Sequence, residues 1–270
     1  MAMLLGTCGW SYPDWVGIVY ADGAPPRDWL PQYAGVFDLV EADTTFYRTP
    51  SPDLVKRWRD VTPAHFAFTL KIPREITHDR KLVDVDGPLG EFLDVTAALG
   101  SKRSAVVFQF PRFRRSEFAD VGTFLDRLDR VLRSVPRDVR AAVEIRNREW
   151  FGLPFLDLLA GHAAAPVLTA QPWMPGADAL IDMNAPLHAD FAYIRLLGDR
   201  EGMERMTTRW DRTVVDRRDD VARWRRVIGR IADAAPDAPV LVLANNHYGG
   251  HAPDTLRLVA GLEPERSASP

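Results

Sequence analysis

The sequence predicts an eight-stranded parallel β/α barrel formed by a single domain. Eight short apolar runs of strand length occur along the 270 residues, and amphipathic segments of helical length separate most of them. A barrel of this kind usually has about 250 residues. A doubly wound open sheet is the alternative, but the Gly-x-Gly-x-x-Gly motif of its dinucleotide-binding form is missing after the first strand.

The eight predicted strands are rich in aliphatic, β-branched and aromatic residues. They span residues 4–8, 39–41, 66–71, 105–109, 141–146, 167–169, 191–195 and 240–244. Helices are predicted at residues 53–59, 89–99, 117–133, 221–233 and 254–261. Ser51 and Ser116 are expected to cap the first and third of these helices, and Gly100 to end the second. The barrel domain is predicted over residues 1–262, with a frayed tail at residues 263–270.

Composition narrows the class of protein. A formal net charge of −3, with 46% apolar and 26% charged residues, excludes wholesale disorder. We expect a cytoplasmic protein without a membrane partner, because no apolar run approaches the roughly 20 residues that cross a bilayer and the first residues resemble no signal peptide. The single cysteine, Cys8, excludes an internal disulfide and is interpreted as a core residue. Nothing in the sequence predicts the oligomeric state.

Lysine is scarce: the chain has 30 arginines and only four lysines. Lys71 lies at the end of a predicted strand, and because lysine and arginine differ in chemistry, it is the lysine expected to act in a site. The other three lysines are predicted to be ordinary helix or loop residues; they are Lys56, Lys81 and Lys102.

Charged and amide side chains recur where the predicted strands end. Side chains alternate across a strand, so Lys71, Gln109, Glu144 and Arg146 are expected on faces that point into the barrel. Other polar residues at the same end are Glu41, Asp43 and Arg195. Barrel active sites lie at the carboxyl ends of the strands, and buried charges are normally paired or functional. The sequence therefore predicts a ligand site at this end.

The cations of this set predict an anionic ligand, carrying phosphate or carboxylate. Arg146 and Arg195 are expected to hold the anion, while Lys71, paired with Glu41, orients the substrate. Glu144 is the expected general acid or base. Further substrate-binding residues are expected to be Gln109, Asn245, Asn246, Trp10, Tyr47 and His78. After the eighth strand, the Gly-rich turn at residues 245–252 is expected to offer backbone N–H groups to the anion.

The same segments resemble a known family, the YecE-like proteins or domain of unknown function 72. The matching motifs are GTCGWSYPDW at residues 6–15, VEADTTFYR at 40–48, FTLKIPREITH at 68–78, QFP at 109–111, VEIR at 143–146, YIR at 193–195 and NNHYGG at 245–250. The resemblance implies a β/α barrel and no particular activity. Three positions depart from the family pattern, because Asp43 replaces the usual asparagine, and Asn147 and Leu197 stand where histidines are frequent.

The polar residues at the strand ends bear on two further reaction types. A retaining glycosidase of the largest barrel clan needs carboxyl groups at the ends of strands four and seven, where Gln109 and Arg195 stand instead. A Schiff-base enzyme would use Lys71, provided that this lysine is not simply paired with Glu41 or Glu144.

Three hypotheses about function remain open. The first is an enzyme acting on a small anionic substrate by acid–base chemistry. The second is a metal-dependent phosphodiesterase acting on nucleic acid, with candidate metal ligands Glu41, Asp43, Glu144, His78 and His247. The third is a non-catalytic ligand-binding protein. No cofactor is predicted, although a divalent metal stays open. Basic segments at residues 101–115 and 200–230 keep nucleic acid as a disfavoured partner, given the net negative charge.

Overall fold

A computed structural model describes residues 2–183 and 187–262 of the chain. Within these residues, eight parallel strands pair in sequence order and the last pairs with the first, which closes a barrel. The strands are β1 (Met3–Cys8), β2 (Leu39–Ala42), β3 (Ala67–Lys71), β4 (Arg103–Gln109), β5 (Ala141–Glu144), β6 (Ala165–Thr169), β7 (Ala192–Leu196) and β8 (Val240–Ala244). The predicted barrel is confirmed, and the open sheet is excluded. The tail predicted beyond residue 262 lies outside the described residues.

Helices surround the barrel in one domain. They are α1 (Trp29–Tyr33), α2 (Pro52–Asp60), α3 (Asp86–Thr96), α4 (Val121–Arg133), α5 (Leu153–Gly161), α6 (Ala177–Asp182), α7 (Arg200–Met206), α8 (Arg218–Ala234), α9 (Asn246–Gly249) and α10 (Ala252–Ala260). No helix within the described ranges is long and apolar enough to span a bilayer.

The barrel interior is filled by a small cluster of buried side chains, separate from the larger cluster between strands and helices. Ala67, Val107 and Ala142 belong to the inner cluster, whereas Phe68 and Phe108 pack in the outer one. Because successive side chains alternate, the polar residues that end these strands continue the inner faces, as predicted. Aliphatic side chains fill the barrel interior, and the polar side chains lie at the carboxyl ends of the strands, which we call the barrel mouth.

Several helix boundaries differ from the predictions; α3, for example, spans Asp86–Thr96 rather than residues 89–99, so Gly100 does not end it. Helix α4 begins at Val121 rather than at residue 117, because the side chain of Asp120, not Ser116, accepts a hydrogen bond from the Thr123 N–H at 2.9 Å. The glycine-rich segment after β8 forms one helical turn, α9, where no helix was expected. This turn ends at Gly250, whose φ of 103° favours glycine, so His247 and His251 do not share a helix face.

Lys102 is not the ordinary lysine that the sequence suggested. Its ammonium group is buried and donates to the carbonyl oxygens of Arg59 and Thr62, at 2.5 and 2.6 Å. These carbonyls lie at the end of α2, where four backbone acceptors have no partner within the helix. Arg103 similarly turns inward to the Leu93 carbonyl. Two cations of the basic segment at residues 101–115 thus stabilise the fold and are not available to a nucleic acid.

Candidate functional site

The barrel mouth holds a cavity of about 250 Å³. Of the predicted site residues, Lys71, Gln109, Arg146, Arg195, Tyr47 and Asn245 line this cavity. It is also lined by Asp43, Phe46, Gln171, Trp173, Leu197, Gly198, Arg200 and His247. Strand register explains the convergence, since Gln109 lies opposite Glu144 and Thr169 opposite Arg195. The predicted clustering of polar residues at this end is therefore present.

Arg195 is the centre of a buried charge network. Its guanidinium donates to Oε1 of Glu41 at 2.6 Å and also to Oε2 of Glu144. The side chain of Arg195 is 3% exposed and both carboxylates are fully buried. Burial works against the charged form of Arg195, but the two carboxylates outweigh it and raise its pKa well above the ordinary value. Most of its hydrogen-bonding capacity is thus used inside the protein, in contrast to the anion-binding role expected from the sequence.

Glu144 is held between two arginines. Its Oε1 accepts from Nε of Arg146 at 3.1 Å, and its Oε2 accepts from Arg195. Burial favours the neutral acid, yet the charges of Arg195 and Arg146 prevail and lower the pKa of Glu144 below its usual value. A carboxylate whose pKa is held low carries no proton to donate at neutral pH and is a weak base. The geometry therefore speaks against the predicted acid–base role and favours a positioning role.

Glu41 has the opposite electrostatic character. Burial raises its pKa to about 7; Arg195 opposes this rise, and the neighbouring Asp43 carboxylate adds to it through its charge and a hydrogen bond. The Glu41 Oε2 also accepts from the Tyr193 hydroxyl at 2.8 Å, and Tyr193 contacts Oγ1 of Thr69 at 2.7 Å. Glu41 is thus the carboxyl group of the mouth that exchanges a proton near neutral pH.

The pKa of Glu41 predicts how stability depends on pH. Because its pKa is about 7 in the folded protein and 4.5 ordinarily, the folded state binds more protons between these values. The free energy of unfolding of the wild type should therefore fall relative to Glu41→Gln as pH rises from 4.5 to 7, by on the order of 2 kcal/mol. Urea unfolding at pH 5 and pH 8 measures this difference, with Glu75→Gln on the exposed surface as control. A difference that stays constant with pH would contradict the assignment.

Lys71 was expected to pair with Glu41 or Glu144, but its partner is a different carboxylate. Its ammonium nitrogen lies 3.4 Å from Oδ1 of Asp43 and 4.6 Å from the centre of the Phe46 ring. An opposite charge and an aromatic face both stabilise a charged ammonium group. Asp43, one of the departures from the family pattern, is therefore the partner that holds Lys71 at the cavity wall.

Arg146 is a cation of the mouth with open donors. Only its Nε has a partner, Glu144, and its two terminal nitrogens have none among the described residues. The side chain is 29% exposed and lines the cavity. Since a guanidinium edge matches the two oxygens of a carboxylate or phosphate, Arg146 presents a fork of donors to the cavity.

Some predicted substrate-binding residues serve the structure instead. Trp10 does not line the cavity, and its ring packs edge-on against Trp58 at 5.6 Å. Asn246 is buried, and its side-chain Oδ1 accepts from the Ala252 N–H at 2.9 Å. His78 borders the mouth, in edge contact with Phe46. Burial, assisted by nearby cations, lowers the pKa of His78 to about 4.

The turn after β8 does not present the row of free N–H groups that its sequence suggested. The N–H groups of His247, Tyr248, Gly250 and Ala252 all donate to Asn245 or Asn246. The His247 ring is held by Asn245 and by Glu204 of α7, at 2.5 and 3.2 Å. This segment therefore builds a rigid wall of the cavity.

The family departures have visible structural roles. The Asn147 amide oxygen accepts from the Phe113 N–H at 2.8 Å, and its amide nitrogen donates back to the Phe113 carbonyl. Asn147 thus fastens the loop after β4. Leu197 lines the cavity as an apolar group. His247, in α9 after β8, lines the cavity.

The candidate metal ligands do not form a metal site in the described part of the chain, where no three His, Cys, Asp or Glu side chains are grouped to hold an ion. The oxygens of Glu41 and Glu144 point to arginine and tyrosine donors instead. Cys8 is fully buried, as predicted, and burial raises its pKa well above the usual value.

Sequence reasoning missed several members of the site. Tyr193 lies two residues before Arg195 on the inner face of β7, and Gln171 lies two residues beyond Thr169 of β6, so strand alternation could have found both. Trp173 and Arg200 come from long connections, whose path no periodic pattern predicts. His247, expected only as a candidate metal ligand, lines the cavity.

The comparisons with known proteins agree with this architecture. The model of a family described as protein of unknown function DUF72 matches residues 4–268. YecE of Escherichia coli K12 is 32% identical over 148 residues, 54% of this chain and 49% of that protein. YunF of Bacillus subtilis is 28% identical over 159 residues, 57% of this chain and 54% of that protein. In these alignments the chain spans about half the length of the curated relatives it matches.

Solved structures share the fold. A DUF72 protein from Thermotoga maritima superposes with a TM-score of 0.75 at 23% identity, covering 97% of this chain and 98% of that one. D-psicose 3-epimerase reaches a TM-score of 0.51 at 11% identity, covering 90% of this chain and 84% of that one. These likenesses establish the barrel and no activity. With the family model matching residues 4–268, the chain belongs to the DUF72 family.

Proposed function

We propose that the barrel mouth binds a small anionic ligand, phosphorylated or carboxylated, and that Arg146 is its principal anion-binding residue. The observation that carries this proposal is the pair of Arg146 terminal nitrogens, which have no partner among the described residues and belong to a side chain lining the cavity. Lys71 adds a second positive charge on the same wall. A cavity of about 250 Å³ suits a ligand of metabolite size.

Glu144 supports this role indirectly. By accepting from Nε of Arg146 and from Arg195, it fixes the plane of the Arg146 guanidinium before a ligand arrives. A group that is held in place loses little conformational entropy on binding, so preorganisation strengthens the interaction. Gln109, Tyr47 and Asn245 line the remaining wall and would supply neutral contacts.

We further propose that the protein is an enzyme in which Asp43 and Glu41 share the acid–base work. Asp43 lines the cavity, and Glu41 lies behind it, in hydrogen-bonding contact with it and with a pKa of about 7. A carboxyl group with the pKa of Glu41 can accept or release a proton near neutral pH. Lys71, paired with Asp43, would orient the substrate beside this pair. The reaction class consistent with these groups is proton transfer during hydrolysis or elimination.

Arg146→Met tests the anion site. Isothermal titration with inorganic phosphate, malate, succinate and malonate should show that the wild type binds an anion and that Arg146→Met binds it about 10–100-fold more weakly. The matched control is Arg148→Met, which removes the same charge two residues away from an exposed side chain outside the cavity. Equal affinities of wild type and Arg146→Met, or equal losses in both variants, would overturn the proposal.

A further inference from the structure

Three buried polar atoms on β6, on β7 and just after β6 have no hydrogen-bond partner among the described residues. They are Oγ1 of Thr169, Oε1 of Gln171 and Nε of Arg195. Buried polar groups in proteins are nearly always paired, because an unpaired one costs about 1–3 kcal/mol. Asp43 Oδ1, which also lacks a hydrogen bond, lies 3.4 Å from the Lys71 ammonium nitrogen, whereas the three atoms on the β6 and β7 side have no partner and need an explanation.

The three residues lie on the same face of β6 and β7 or of the segment that continues β6. Thr169 of β6 lies opposite Arg195 of β7 in the parallel register, which places both side chains on the same face of the sheet. That face is the inner one, because Val167 and Tyr193, the pair two residues earlier on the same face, belong to the barrel interior. Gln171 continues the β6 face by two residues, and both Gln171 and Arg195 line the cavity.

The donor and acceptor pattern of these three atoms is selective. Nε–H of Arg195 can only donate, Oε1 of Gln171 can only accept, and the Thr169 hydroxyl can do either. A ligand group that satisfies them must accept one hydrogen bond and donate another. A carboxylate or phosphate oxygen without a proton cannot donate, and an ammonium group cannot accept. A hydroxyl group does both.

The two walls of the mouth therefore differ in character. On the β3 and β5 side, Lys71 and Arg146 present positive charge to the cavity. On the β6 and β7 side, the charge of Arg195 is balanced by Glu41 and Glu144, and its unpaired Nε–H lies on the same side as the neutral Thr169 and Gln171. The first wall suits an anionic group and the second an uncharged polar one.

We propose that Thr169, Gln171 and Arg195 form a hydroxyl subsite, so that the ligand of the mouth is a hydroxylated anion such as a hydroxy acid or a polyol phosphate. This inference rests on the proposed anion site and names its substrate class. An enzyme that holds both the charged group and a hydroxyl of such a molecule fixes its orientation relative to Asp43 and Glu41.

The experiment compares probes that differ only in hydroxyl groups. Affinities of malate against succinate, and of glycerol phosphate against propyl phosphate, are measured by isothermal titration for the wild type. We expect the hydroxylated member of a pair to bind at least about tenfold more tightly, because the deoxy probe leaves the three atoms unpaired. In Thr169→Val/Gln171→Leu the two members should bind about equally.

Two controls separate the subsite from a general effect on folding. Thr169→Val removes an unpaired hydroxyl while keeping the shape, so the melting temperature of the free protein should not fall. Thr96→Val is the matched variant outside the cavity; it loses the bond to the Phe92 carbonyl at 2.8 Å, so its melting temperature should fall while the preference for hydroxylated probes persists.

The outcomes are distinct. If no anionic probe binds the wild type, the anion site itself is wrong. If anions bind through Arg146 but hydroxylated and deoxy probes bind equally, the anion site stands and the hydroxyl subsite is overturned; an ordered water held by the three atoms would give this result. If the preference exists but survives in Thr169→Val/Gln171→Leu, another part of the mouth reads the hydroxyl and the subsite is likewise overturned.

Discussion

Replacing Arg195 with methionine is expected to lower the free energy of unfolding by about 3–5 kcal/mol. The substitution leaves Glu41 and Glu144 fully buried without the cation that bonds to both. Glu41 can escape part of this penalty by taking a proton, because its pKa is already about 7. Glu144 cannot do so as easily, since its pKa lies below the ordinary value. Urea unfolding at pH 8 measures the effect.

Two further variants make this result specific. Arg200→Met breaks an ion pair whose arginine is 75% exposed, and such surface pairs are worth about 0–1 kcal/mol. Adding Glu144→Gln to Arg195→Met removes the stranded charge and should restore part of the lost stability. An Arg195→Met protein as stable as the wild type would show that the two glutamates do not depend on this guanidinium.

Replacing Gly198 with alanine is expected to lower the free energy of unfolding by about 2–5 kcal/mol and to weaken ligand binding at the mouth. A Cβ on residue 198 would lie 2.4 Å from the carbonyl oxygen of His247 and 2.6 Å from Cα of Tyr248. The φ of Gly198 is 70°, which adds left-handed strain for any other residue. Since backbone atoms cannot yield as side chains do, the wall that carries Asn245 and His247 must shift.

Gly229→Ala is the matched control for this substitution. Gly229 lies on the exposed face of α8, and a Cβ there would contact nothing within 4 Å. Alanine favours the helix, so the control should gain about 0.5–1 kcal/mol. Thermal unfolding and titration with phosphate or malate compare the two proteins. If Gly198→Ala matches the wild type in both measurements, the backbone contact between the loops after β7 and β8 does not constrain the mouth.

The fold could be predicted because the strands and helices of a barrel produce regular patterns of apolar residues in the sequence. Strand lengths, alternation and the spacing of amphipathic segments depend on local geometry, which neighbouring residues determine. The same alternation placed Lys71, Gln109 and Glu144 on the inner face. Helix boundaries could not be predicted to the residue. Asp120 and Ser116 are both good helix caps, and the path of the chain in the folded protein determines which of them caps α4.

The pairing within the site could not be predicted in the same way. Glu41 and Glu144 are the same residue type at the same level of the barrel, yet the pKa of one is raised and that of the other is lowered. The difference comes from how many cations reach each carboxylate, which depends on side-chain paths across the barrel. The pairing of Lys71 with Asp43 likewise depends on side-chain paths across the barrel. Lys102 escaped notice because its role depends on carbonyls 40 and 43 residues away in sequence.

The buried network also has an evolutionary consequence. Arg195 serves two carboxylates on different strands, and Glu144 serves two arginines, so a change at one position alters the charge balance felt by the others. Single substitutions along a lineage would pass through an intermediate with an unpaired buried charge. Positions 41, 144, 146 and 195 should therefore be inherited as a unit or replaced together, while residues that line the cavity without belonging to the network, such as Trp173 and Arg200, are free to diversify ligand preference.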